Sequence, residues 1–136
     1  MSKSQVMIAI DTEFCSNNII EGNCLQLAFV VFSNNYKLDL YNDLSEENHW
    51  IIDKLSVCFN DQNKKKDVNV MNFWKNHSDI YNKILSEGID ITQGFLQIQN
   101  WLNKIYTTYD VVSFIADISA IDYQWFKSLY LTHCDQ

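Results

Sequence analysis

Asp11 and Glu13 stand two residues apart at the end of an apolar run, Val6-Met7-Ile8-Ala9-Ile10, with Thr12 between them and Phe14 behind. On a β-strand, residues i and i+2 share a face, so both carboxylates point the same way and Thr12 turns to the other side. Neighbouring carboxylates at the end of a buried strand repel each other and lose hydration, so they need compensation. A divalent cation supplies it, and a site built from oxygen alone favours Mg²⁺ or Mn²⁺ over Zn²⁺. The plainer alternative for the same residues is an acidic turn capping a helix.

Positioning such a pair takes a sheet. Residues 5–10 predict a buried strand, and Cys24 to Phe32 a second, whose nearly unbroken apolar character predicts burial on both faces. Between them, Asn17-Asn18 and Gly22 predict an exposed loop beside the carboxylates. Asn34-Asn35 marks a turn and Tyr36 to Tyr41 alternates as a third strand, completing an antiparallel meander. Helical spacing follows in Val70, Phe73, Trp74, Ile80, Ile84 and Leu85, with Ser78 as N-cap of a helix ending near Gly88. Thr92 then caps a longer helix carrying Phe95, Leu96, Ile98, Gln99, Leu102 and Ile105 as its apolar stripe. Asp110 to Ala116 predicts a fourth strand, parallel to the first. A last helix starting near Ser119 runs through Asp122, Trp125, Phe126 and Leu129. The order β-β-β-α-α-β-α makes residues 1–136 a single α/β domain with a mixed sheet.

Composition narrows the function classes. Apolar residues at 47% and aromatics at 14% exclude a disordered chain. No apolar run approaches roughly 18 residues, so no membrane span is predicted, and the polar Met-Ser-Lys-Ser-Gln start predicts an intracellular, cytoplasmic protein. Cys15, Cys24, Cys58 and Cys134 lack C-x-x-C spacing and read as free thiols. A net charge of −7 argues against passive nucleic-acid binding through a basic face. It does not argue against a nuclease, because bound cations bring positive charge to the phosphate. The basic run Lys64-Lys65-Lys66 reads either as a solvated loop or as a contact to a nucleic-acid backbone.

The chain resembles the DEDD superfamily of 3′-5′ exonucleases, which share the ribonuclease H-like fold. The first motif of that group is an apolar strand ending in D-x-E, here Ile8-Ala9-Ile10-Asp11-Thr12-Glu13-Phe14. The second is an Asp at a strand-to-helix junction, here within Ser113 to Tyr123, with Asp122 aligning to the carboxylate and Ile121 in place of the usual Phe. Between them, Val70-Met71-Asn72-Phe73-Trp74-Lys75-Asn76 is similar to the branch of phage exonuclease A and related bacterial exoribonucleases, which carry a Phe-Trp or Trp-Trp pair there.

The resemblance implies a metal-dependent 3′-5′ exonuclease acting on single-stranded ends of DNA or RNA, with Asp11, Glu13 and Asp122 as catalytic metal ligands for Mg²⁺ or Mn²⁺. Two ions would be held, with Asp11 bridging them. The family's third motif, a His followed by Asp on a final helix, has no counterpart, since His133 and Asp135 match in neither position nor spacing. Its general base and fourth carboxylate are therefore unassigned, and the second ion is expected to bind weakly. The competing expectation is a nuclease-like binding or regulatory module, or a fragment of a longer nuclease lacking its C-terminal part, whose uncovered surface would favour homo-oligomers. Phe14, Phe73 and Trp74 read as substrate-binding side chains for terminal bases, or alternatively as core. Trp125 reads as core, Asp117 as a cap or a support for the ligands, and His49 and His77 as surface residues.

Overall fold

The apolar run before Asp11 forms the inner part of strand β1, Gln5–Phe14, whose buried and exposed positions alternate. Val6, Ile8 and Ile10 are buried on one face, while Asp11 is exposed on the other. The computed structural model describes residues 5–33, 51–116 and 121–134. Strand β2, Cys24–Ser33, pairs antiparallel with β1, and β3, Ile51–Cys58, pairs antiparallel with β2. Strand β4, Val111–Ile115, runs parallel to β1, giving the order β3-β2-β1-β4. The mixed sheet and the parallel fourth strand agree with the sequence reading.

The third strand of the meander is β3, at residues 51–58; the segment Tyr36–Tyr41 lies outside the described residues. Strand β2 is also less symmetric than its composition predicts. Leu27, Phe29 and Val31 are buried on one face, whereas Gln26, Ala28 and Val30 are only half-buried on the other. Near the end of β1 the register shifts: Glu13 pairs with Gln26 but Phe14 pairs with Cys24, leaving Leu25 as an extra residue. This β-bulge sends Cys24 into the main core and Leu25 into a second apolar cluster.

Among the described residues, four helices follow β3 in the chain. Helix α1, Val68–Lys75, is capped by Asp67, whose carboxylate accepts from the Asn69 and Val70 amides. Helix α2, Ser78–Glu87, starts after His77 with no side-chain cap, so Ser78 is its first residue and not its cap; Gly88 ends it as expected. Helix α3, Ile91–Thr108, is capped by Asp90, which accepts from the Thr92 and Gln93 amides, so Thr92 lies inside the helix. Helix α4 spans Ile121–His133. In both capping cases an Asp upstream is the stronger acceptor, since an ionised carboxylate favours a helix N-terminus.

The core lies between one sheet face and helices α3 and α4. Phe95, Ile98, Trp101, Leu102 and Ile105 from α3 and Trp125, Phe126 and Leu129 from α4 pack on Val6, Ile8, Ile10, Phe29 and Val31. Leu96 is 57% exposed and drops out of the expected stripe. The four cysteines are buried free thiols, and no helix among the described residues is long and apolar enough to cross a membrane.

Gly94 lets α3 approach β3. A Cβ there would lie 2.5 Å from Cε1 of Phe59, whose fully buried ring stacks on Phe95 at 5.7 Å. Alanine gains about 1 kcal/mol of helix propensity, against an overpacking cost of about 1–3 kcal/mol. Gly94→Ala is therefore expected to lower the urea midpoint. A raised midpoint would show that the Phe59 ring can yield.

Candidate active site

Pairing of β1 with β4 stops at Ala9, so the stretch carrying Asp11 and Glu13 runs past the end of β4. Into that space comes the first turn of α4. The Thr12 amide donates to Oδ1 of Asp122 at 3.0 Å, and the Thr12 hydroxyl reaches the Asp122 carbonyl at 3.5 Å. The side chain facing away from the acidic pair thus ties the strand to the helix that carries the third carboxylate. Thr12 is 5% exposed, in keeping with that role.

Glu13 feels the charge of both Asp11 and Asp122. Glu13 has its carboxyl pushed above the ordinary carboxylate range, first by burial, then by the negative charge of Asp11, then by that of Asp122. A carboxyl pushed up by burial and by two anionic neighbours sits where positive charge is lacking. Among the described residues, no group of three or more His, Cys, Asp and Glu side chains is drawn together tightly enough to form a ready metal cage. One oxygen of Asp122 is already engaged by the Thr12 amide. The donor chemistry, carboxylate oxygen only, suits a hard divalent cation.

Beside Glu13 lies a groove of about 450 Å³ lined by Thr12, Glu13, Phe14, Asn69, Val70, Phe73 and Trp74. The three aromatic candidates meet there but differ in character. Trp74 is 4% exposed and its indole N–H donates to the Phe14 carbonyl at 2.9 Å, so it forms the wall and ties α1 to β1. Phe14 is half-buried and stacks on Trp125, with ring centroids 5.5 Å apart and planes 14° from parallel. Phe73 is 53% exposed and free to meet a ligand. Trp125 is fully buried, as its core reading requires.

Helix α1 is aimed by a loop that periodicity does not reveal. Residues 60–67 zip onto residues 15–24: the Gln62 side-chain amide accepts from the Cys24 backbone N–H, the Asn23 amide donates to Asp61, and the Asp67 N–H donates to the Cys15 carbonyl. Lys65 pairs with Glu21 at 2.7 Å and Lys66 with Asp61 at 3.1 Å, so two members of the basic run serve this loop. Asn69, the groove's exposed polar side chain on α1, had no sequence signal beyond its place just before Val70.

The histidines do not complete the site. His133 lies at the far end of α4, about 16 Å from Asp122 along the axis by the helical rise. It stacks on Phe95 at 5.5 Å, and burial, followed by the charge of Lys64, holds its imidazole below its ordinary value. His77 is exposed and packs on Phe73 at 4.5 Å. His49, Asp117 and Asp135 lie outside the described residues.

No family model matches the sequence, and no curated protein matches it. Among solved structures, the chain is similar to cell-death related nuclease 4 (CRN-4), with a TM-score of 0.54 and 17% identity over 85% of this chain. The chain covers 36% of that protein. The shared architecture is the ribonuclease H-like α/β fold.

Proposed function

We propose that this chain is a metal-dependent 3′-5′ exonuclease domain that hydrolyses phosphodiester bonds at single-stranded DNA or RNA ends. The observation that carries the reading is Glu13, under the charge of both Asp11 and Asp122, lining a groove together with Phe14, Phe73 and Trp74. The structural likeness to a nuclease supports it through the fold. Asp11, Glu13 and Asp122 would hold Mg²⁺ or Mn²⁺. Divalent ions in such a site supply a hydroxide at neutral pH and stabilise the charge on the leaving 3′ oxygen.

The protein's own part is binding and orientation. Phe73 offers an exposed ring for stacking an unpaired base, worth about 1–3 kcal/mol, and the apolar groove excludes water around it. Asp122 is oriented by the Thr12 amide, which fixes one of its oxygens. A stacked terminal base beside Glu13 would set the adjoining phosphate next to the carboxylates, the positioning that makes the attack effectively unimolecular.

A second reading, a nuclease-like module that binds without efficient turnover, is favoured by the position of His133 against Phe95, which leaves no general base assigned among the described residues. Isothermal titration with Mn²⁺, paired with digestion of an end-labelled single strand, separates the two. Asp122→Asn keeps an oxygen for the Thr12 amide, so it is expected to fold normally but to lose Mn²⁺ affinity about 10–100-fold. Metal-dependent trimming by the wild type supports the enzyme. Mn²⁺ binding without trimming supports the module, and no Mn²⁺ binding by the wild type overturns both.

A further inference from the structure

The groove beside Glu13 contains one polar side chain that neither the carboxylate chemistry nor the stacking reading uses. Asn69 is exposed, lines the groove, and sits one helical turn before Phe73 on α1, so the two present themselves side by side. Its backbone N–H is taken by the Asp67 cap, and among the described residues its carboxamide makes no hydrogen bond. Phe14, Val70 and Trp74, which also line the groove, offer it apolar surface.

We infer that Asn69 is a specificity-determining residue that reads the edge of the unpaired terminal base stacked on Phe73. A carboxamide carries a donor and an acceptor side by side and can form a bidentate pair with a base edge of matching pattern. Unpaired bases expose those edges, whereas duplex pairing occupies the Watson–Crick edge. The stack on Phe73 accepts every base, because each has an aromatic face. Discrimination then falls to Asn69. This inference rests on the nucleic-acid reading of the groove, and it extends that reading from substrate class to base identity. Adenine fits best, since asparagine pairs bidentately with its ring nitrogen and amino group.

The test uses the 5′-monophosphates AMP, CMP, GMP and UMP, bound to the full 136-residue chain in Mn²⁺ and followed by isothermal titration. Wild type is expected to bind AMP about tenfold more tightly than UMP, the scale of one bidentate base contact. Asn69→Ala should bring the four affinities together by weakening AMP alone. Asn69→Asp, which only accepts, should move the preference toward CMP, whose amino group donates. Both substitutions leave the Asp67 cap in place, and an unchanged circular dichroism spectrum checks the fold. Equal binding of the four nucleotides by wild type, or an unchanged spread in Asn69→Ala, overturns the inference. Asn69-dependent binding without any trimming of oligonucleotides leaves the inference standing while the exonuclease reading falls.

Discussion

Replacing Asp11 by Asn is expected to stabilise the metal-free protein while removing the proposed nuclease activity. Both effects come from the same charge. Asp11 is the second cause, after burial, of the raised carboxyl of Glu13, so in the metal-free fold the two repel. A group whose folded pKa is raised contributes stability fully below its unfolded value, and that contribution is lost as pH rises through the folded value. For Glu13 the loss begins above its ordinary value of 4.5 and is complete once its raised value is passed. Calorimetric midpoints of the wild type should therefore fall across that window relative to Glu13→Gln, and the fall should be smaller in Asp11→Asn, where only burial and Asp122 still act. Saturating Mn²⁺ should reverse the order, stabilising wild type above both variants. Activity should drop on the order of 10²-fold or more, the scale of losing one preorganised electrostatic contact in a transition state. A lower midpoint for metal-free Asp11→Asn would show that the carboxylates are not in conflict, and would remove the main physical argument for a cation there.

The second large effect belongs to Trp74. Truncating this nearly buried residue to Ala should cost about 3–5 kcal/mol, because its ring fills the cluster of Cys15, Leu25, Cys58 and Ile84. A fall in thermal midpoint on the order of 10 °C is expected for a domain of this size. Trp74→Phe keeps most of the packing but leaves the Phe14 carbonyl without its indole donor, a cost of about 1–3 kcal/mol. Because that bond sets α1 against the end of β1, the Phe variant should also raise KM for oligonucleotides more than it lowers kcat. Scanning calorimetry and steady-state trimming measure the two consequences separately. Unchanged KM in a variant of lowered midpoint would make Trp74 a core residue alone.

The acidic motif, its strand and the parallel fourth strand were legible because strand period and apolar runs are local signals. Strand β3 was not. Its sequence, Ile-Ile-Asp-Lys-Leu-Ser-Val-Cys, interrupts the apolar pattern with Asp53 and Lys54, as the outermost position it holds among the described strands allows, and Ile52 is 44% exposed. The caps at Asp67 and Asp90 were missed because several residues near each helix start could cap, and sequence does not say which adopts the non-helical backbone that both show. The groove was half legible. Phe73 and Trp74 were visible as a pair, but their division into an exposed ring and a buried wall depends on the long-range seam between residues 15–24 and 60–67. That seam is held by side-chain amides with no periodicity to betray them.

The bulge at Leu25 sets how this sequence can change over time. Cys24 and Leu25 are neighbours in the chain, yet each fills a different compartment of the molecule. A conservative exchange at either position alters one compartment and leaves the other alone. A one-codon deletion there is a different event. It would slide the preceding residues by one step and turn every side chain before the bulge to the opposite face. Asn23, which anchors both Asp61 and the Lys64 amide, would be carried away from the seam that aims α1. Drift in length at this turn is therefore far more restricted than drift in identity, and related chains should keep the spacing between the D-x-E motif and the Phe29 core position even where the residues themselves have diverged.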